Sequence, residues 1–282
     1  MQMRYTNRRH ECDVVFQRLG HEAVNMLQEL RNQFSSGVLL ITDTALHSGR
    51  ELLNSFLVAS LQRKEFVHVF GYEISQKEFS SGFPPEILTR LAFHDGFSDP
   101  LNWNNAQVSL TPLDFSVDRI WKHIGDDSHP VTIVLDSLSW LLAHCPLPSV
   151  CHTLRNLPRG RKGAGSRAAR VIALLHSDLH TPGVLHSVRL LADTVINVTE
   201  NGEHNKVTVT HQKKSGKVVT TGEDVRIQDG FTLEIIKAQE TEQKRREQVE
   251  SKMNLTFNPH LSDFERELKE SATLPYTFSD SK

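Results

Sequence analysis

One strand-to-helix junction constrains this chain more than any other feature. Val38-Leu39-Leu40-Ile41 reads as a buried strand, and Leu52 to Leu61 reads as a helix. Between them runs Thr44-Ala45-Leu46-His47-Ser48-Gly49-Arg50-Glu51. A phosphate-binding loop, G-x-x-x-x-G-K-[ST], occupies this place in many α/β proteins. Only Gly49 fits it. Thr44 replaces the first glycine, Arg50 the lysine, and Glu51 the hydroxyl that would complete a Mg²⁺ shell. Glycines in such a loop turn backbone N–H groups onto phosphates. Glu51 instead adds a negative charge at a helix N-terminus, where a phosphate would bind. The junction has the outline of a nucleotide-binding fold without the groups for its chemistry.

The rest of the chain fits one large α/β domain with extensions. The strand candidates are 38–42, 66–71, 91–94, 131–135, 171–175 and 194–198, all rich in Val, Ile and Leu. Such runs suit parallel strands buried on both faces. Segments 49–62, 112–123, 137–157 and 183–191 can each hold a helix. The alternation predicts a doubly wound, mostly parallel sheet. Residues 206–211 and 217–221 then read as an antiparallel hairpin turning at Gln212-Lys213-Lys214-Ser215-Gly216, followed by a strand at 231–236. Parallel strands first and an antiparallel hairpin at one edge is a RecA-like layout. Upstream, Phe16, Leu19, Ala23, Met26 and Leu30 predict one amphipathic helix over 14–34. Downstream, 238–253 are polar on every side. The predicted organisation is an N-terminal helical extension (1–37), a RecA-like domain (38–237) and a C-terminal tail (238–282).

Composition excludes some classes. Net charge is −2, so no global field draws the chain to nucleic acid or membrane. Three cysteines suit a reducing compartment better than a disulfide framework. No apolar run reaches the length of a membrane span, and no membrane partner is expected. Met1 to Arg9 is basic but lacks the apolar core of a secretory signal.

Several constellations could carry chemistry. Val131-Thr132-Ile133-Val134-Leu135-Asp136 has the shape of a Walker B strand. No glutamate follows to activate water, and Asp136 is read as a helix N-cap. His176-Ser177-Asp178-Leu179-His180 places two histidines four apart, but no third metal ligand is evident, and it is read as a polar loop. No catalytic residue, metal or cofactor is expected. The positive candidate is a basic loop: Arg155, Arg159, Arg161, Lys162, Arg167 and Arg170, with no acid among them. Mobile basic loops can fold onto a phosphate backbone without reading sequence. A second candidate is the tail, where Phe257, Leu261, Phe264, Leu268, Leu274, Tyr276 and Phe278 form short apolar groups beyond a polar spacer. Ser262-Asp263-Phe264-Glu265 is a capping box that predicts a helix start. Anchors spaced this way suit wrapping across a neighbour.

Several segments together resemble the Elongator subunit 5 family. They are Gly71-Tyr72-Glu73-Ile74-Ser75, Phe93-His94-Asp95, Asp99-Pro100-Leu101-Asn102-Trp103, Val131 through Leu142, and Leu174 through His180. Leu255-Thr256-Phe257-Asn258, Leu261-Ser262 and Leu274-Pro275-Tyr276-Thr277-Phe278 complete the set. The resemblance covers about residues 26–278 and leaves 1–25 as an extension. It implies a RecA-like protein without catalysis that forms a hetero-hexameric ring with subunits 4 and 6. That ring docks on a catalytic assembly, binds tRNA and supports wobble-uridine modification, in cytoplasm and nucleus. Two alternatives compete: an ATPase with a non-standard nucleotide site, and a RecA-type recombination paralogue acting on DNA.

Overall fold

The computed structural model describes residues 25–101, 103, 110–125, 129–160, 169–201 and 204–236. Nine strands form one sheet in the order β3-β2-β4-β5-β1-β6-β7-β8-β9. They are β1 (Gly37–Asp43), β2 (Phe66–Gly71), β3 (Leu91–Asp95), β4 (Val131–Asp136), β5 (Ala169–His176), β6 (Thr194–Asn201), β7 (His204–Gln212), β8 (Val218–Gln228) and β9 (Thr232–Ile236). β1 to β6 run parallel, and β7, β8 and β9 are added antiparallel. This is the RecA-like layout that the strand spacing predicts. The antiparallel hairpin is longer than expected, because β8 continues to Gln228.

The helices are α1 (Met26–Asn32), α2 (Arg50–Gln62), α3 (Gln76–Phe79), α4 (Val117–Ile124), α5 (Leu138–His144), α6 (Leu147–Asn156) and α7 (Pro182–Arg189). Alternate strand residues point to opposite faces. Leu39, Ile41, Val134, Ile172 and Leu174 pack with α2 on one face. Leu40, Ile133, Leu135, Val171 and Ala173 pack with α4, α5 and α6 on the other. Helix α2 is buried from Leu52 to Leu61 because it meets α1, β2, β8 and β9 as well as the central strands. Each buried Leu, Phe or Val of this run contributes roughly 1.5–3 kcal/mol through burial.

Three helix expectations need correction. The 14–34 helix does not run through residue 25: Asn25 is extended, and its side chain accepts the Gln28 N–H at 3.4 Å to start α1 at Met26. Phe16, Leu19 and Ala23 lie outside the described residues. The 137–157 helix is two helices, because Pro146 forces extended backbone on Cys145 (φ −121°, ψ 150°). The 112–123 segment opens as a short 3₁₀ turn at Pro112–Asp114 before α4 begins. Among the described residues, no helix is long and apolar enough to cross a membrane.

Register aligns the strand ends. Asp95 lies beside Gly71, Gly71 beside Asp136, and Asp43 beside His176. The carboxyl ends of β3, β2, β4, β5 and β1 therefore form one edge. Gly37, Val131, Ala169 and Arg170 mark the opposite edge.

Candidate functional site

The carboxyl edge carries a closed network of charges. Arg50, the first residue of α2, donates to Asp136 at the end of β4 and to Glu73 just beyond β2, the latter at 3.1 Å. His176 ends β5. Its Nδ1 donates to Asp43 Oδ1 at 2.6 Å and its Nε2 to Glu73 Oε2 at 3.0 Å. The second Glu73 oxygen accepts from Ser137 Oγ. The second Asp43 oxygen accepts the Gly49 N–H at 2.7 Å. A Cβ at residue 49 would sit 2.8 Å from an Ile41 methyl, so only glycine allows this approach. Ser139 Oγ accepts the His176 N–H at 2.8 Å, and Trp140 stacks between Tyr72 and His144 at centroid distances of 4.9 and 4.0 Å.

These contacts set the protonation states. The hydrogen bonds from His176 to Asp43 and Glu73 outweigh burial and hold the imidazole charged, with its pKa raised to about 10. Burial alone would raise the Glu73 carboxyl, but the bonds from His176 and Ser137 and the nearby positive charges hold it below its ordinary value. Asp136 goes the other way. Its burial pushes the carboxyl up, Glu73 adds to that push, and Arg50 only partly offsets it.

The residues present do not fit a nucleoside triphosphate with its metal. The 44–47 segment is a tight turn in which Thr44 and His47 exchange backbone hydrogen bonds at 3.1 and 3.3 Å. It is pinned by a bond from Ala45 N–H to Asp178 at 2.8 Å. A phosphate here would have to take Arg50 from Asp136 and Glu73 and then face both carboxylates. Two like charges at about 4 Å repel by about 4 kcal/mol at an effective dielectric of about 20. Asp136 is not the helix cap that the sequence suggests. Ser137 caps α5, accepting the Trp140 N–H at 3.3 Å, and Asp136 serves as a buried partner of Arg50. Among the described residues, no group of three or more His, Cys, Asp or Glu side chains is placed to hold a metal ion.

The basic candidates divide at the opposite edge. Arg155 in the last turn of α6 and Arg159 just past it are exposed and line a cleft with Ser36, Gly37 and Asp193. Arg170 leaves the nucleic-acid set. It is 1% exposed and donates to the carbonyls of Leu30 at 2.7 Å and Gln33 at 3.3 Å. Those are carbonyls of the last turn and the C-cap of α1, where a cation is favoured. Its guanidinium lies 5.3 Å over the Phe56 ring, and burial with Arg63 nearby lowers its pKa to about 10. Arg161, Lys162 and Arg167 lie outside the described residues, as do Phe257, Leu261, Phe264, Leu268, Leu274, Tyr276 and Phe278.

Sequence reasoning missed two features of the carboxyl edge. Asp43, Glu73 and His176 were not linked, although Glu73 and His176 both lie in segments that carry the resemblance. The same edge also exposes apolar side chains: Leu46 (86%), Leu179 (67%), and, after β3, Phe97, Leu101 and Trp103 (81%). The turn after β3 is tied down, with Asp95 accepting from Phe97 and Ser98 and Asp99 from the Trp103 N–H at 2.8 Å. An apolar residue inside an otherwise polar turn was the available signal.

Comparison with known proteins identifies the fold and the family of the chain. Two solved structures share the fold. Flagellar accessory protein FlaH from Methanocaldococcus jannaschii matches with TM-score 0.52 and 12% identity, covering 77% of this chain and 97% of its own. Protein PH0321 from Pyrococcus horikoshii matches with TM-score 0.54 and 16% identity, covering 76% and 97%. Among curated relatives, Elongator complex protein 5 of Danio rerio is 38% identical over 267 residues, 91% of this chain and 88% of that protein. The Homo sapiens protein of the same name is 32% identical over 257 residues, 87% and 85% of the two chains. Residues 25–208 match the family described as Elongator subunit Iki1. On its sequence, this chain belongs to the Elongator subunit Iki1 family, as the match over residues 25–208 and the similarity to Elongator complex protein 5 of several animals show.

Proposed function

We propose that this chain is a RecA-like scaffold subunit of the Elongator complex that carries out no catalysis itself. It works with other Elongator subunits. In this reading it joins subunits 4 and 6 in a hetero-hexameric ring, in cytoplasm and nucleus. The ring docks on the catalytic assembly and holds tRNA during wobble-uridine modification. One observation carries the reading: Arg50, in the place of the P-loop lysine, is held by Asp136 and Glu73, so the phosphate position is filled by the protein's own side chains. The apolar residues exposed around that edge support a subunit contact there, since exposed apolar patches mark interaction surfaces.

Phosphate release by the isolated protein tests the scaffold role. The expected rate is the same for the wild type and for Asp136→Ala and does not exceed background. ATP hydrolysis that Asp136→Ala abolishes would sink the reading. For the partners, tagged full-length protein should co-purify subunits 4 and 6, and truncation after Met253 should weaken that recovery. Equal recovery by the truncated chain would remove the tail from the contact.

A further inference from the structure

The cleft at the amino edge of the sheet holds groups that scaffolding leaves unused. Its volume is about 540 Å³, in the range of small-ligand sites. Arg155 and Arg159 line it four residues apart, Pro158, Leu190 and Leu191 supply apolar lining, and Asp193 faces them. Among the described residues neither arginine is ion-paired; Arg159 reaches only Asn156 Oδ1, at 3.5 Å.

Asp193 is held from several sides. Its Oδ2 accepts the Val38 N–H at 2.8 Å, its own N–H donates to Val38 O at 2.9 Å, and its carbonyl accepts from Gln212 N–H at 2.8 Å. Gly37 has φ +133°, and a Cβ there would lie 2.3 Å from Oδ2. Only glycine lets this carboxylate rest against the start of β1. The other oxygen, Oδ1, has no partner among the described residues.

A fixed carboxylate beside two unpaired guanidinium groups is a poor receptor for a bare anion, because it repels what the arginines attract. It suits a ligand carrying a phosphate together with a hydroxyl donor. A ribonucleotide has both: arginines bind phosphate in fork geometry, and a carboxylate is a common acceptor for the ribose 2′-hydroxyl. We propose that this cleft binds a ribonucleoside monophosphate unit, with Arg155 and Arg159 on the phosphate, Asp193 on the ribose, and Leu190 against sugar or base. The unit comes either from a free nucleotide or from an unpaired position in RNA. In the second case the inference rests on the tRNA reading above and gives that contact a location.

The test titrates the full-length chain with adenosine 5′-monophosphate, its 2′-deoxy counterpart, and four-nucleotide single-stranded RNA and DNA. Ribose ligands should bind about tenfold more tightly than deoxyribose ones, the size of one charge-assisted hydrogen bond. Arg155→Gln and Arg159→Gln should each weaken binding about tenfold on the same scale. Asp193→Asn, whose amide oxygen can still accept from Val38, should shrink the ribose preference, because a charged acceptor becomes a neutral donor, and should tighten phosphate binding by removing a repelling charge. Binding of RNA without the mononucleotide identifies an RNA unit as the source; binding of both identifies a free nucleotide, and either result upholds the cleft. Equal affinity for ribose and deoxyribose ligands, arginine variants that bind like wild type, or no binding of any ligand overturns it. The two readings separate. If Arg155→Gln and Arg159→Gln leave both tRNA binding by the assembly and the ribose-selective isotherm unchanged, the cleft falls and the tRNA reading stands. If the assembly binds no tRNA but the ribose-selective isotherm persists, the tRNA reading falls and the cleft stands.

Discussion

The two edges of the parallel sheet use the same residue types to opposite ends. At the carboxyl edge, Arg50 and His176 are each shared between two carboxylates. At the amino edge, Arg155 and Arg159 stand exposed and unpaired among the described residues, while Arg170 is buried on helix carbonyls. Residue type does not separate structural from binding arginines here. Pairing does, and pairing is a property of the fold. A charge whose partners are covalently part of the same domain raises stability and excludes ligands; one without partners leaves stability alone and can meet a ligand.

That contrast can be broken most easily at Arg50. Arg50→Met leaves the fully buried Asp136 beside Glu73 with no guanidinium between them. Removing one partner of a buried pair costs about 3–5 kcal/mol, and since Arg50 keeps 25% of its side-chain exposure the low end applies. Urea unfolding followed by tryptophan fluorescence measures the loss. A change below about 1 kcal/mol would place this pair with ordinary surface ion pairs.

His176→Gln should cost less, about 1.5–3 kcal/mol at neutral pH, the range for hydrogen bonds to charged groups. Its pH dependence carries more information. The folded pKa, about 10, lies above the ordinary 6.5. The stabilisation is therefore complete below about pH 6.5 and is lost as pH rises through 10. Melting temperatures of wild type and variant should converge between pH 7 and 10. A constant gap over that range would mean that the imidazolium charge is not what His176 contributes.

At the amino edge the expected stability change is smallest. Arg155→Gln with Arg159→Gln should stay within about 0.5 kcal/mol of wild type, as exposed substitutions do. The same variant should flatten the log–log salt dependence of tRNA binding by roughly 0.7 to 0.9 per lost phosphate contact. A stability loss comparable to that of Arg50→Met would erase the distinction between the two edges.

The parallel strands were legible because buried strands are written as apolar runs, and all six appear near their predicted positions. The degenerate loop was legible from three substitutions, Thr44, Arg50 and Glu51, in a motif whose mechanics are known. The network that fills its place was not, because its bonds join Asp43 to His176 across 133 positions and Glu73 to His176 across 103. Only the sheet register brings those residues together. Arg170 was misplaced for a related reason. Adjacency to a basic run put it in a loop, whereas the chain enters β5 at Ala169 and carries Arg170 inward beneath α1. The segments that carry the family resemblance proved more informative than any one of them suggested. Tyr72 and Glu73, Asp136 to Trp140, and His176 come from three separate stretches and meet at one place.

The bridging of β1, β2, β4 and β5 by Arg50 and His176 has a consequence for regulation. A protein that binds nucleotide in its native state gains stability with ligand concentration, as RT ln(1 + [L]/Kd). Here the same strand ends are joined by groups whose effective concentration never changes. With the amino-edge cleft disabled by Arg155→Gln and Arg159→Gln, a melting temperature unmoved by millimolar ATP or ADP is the expected signature of this filled edge. The shape of the carboxyl edge is thereby set by the chain itself and needs no bound nucleotide to hold it.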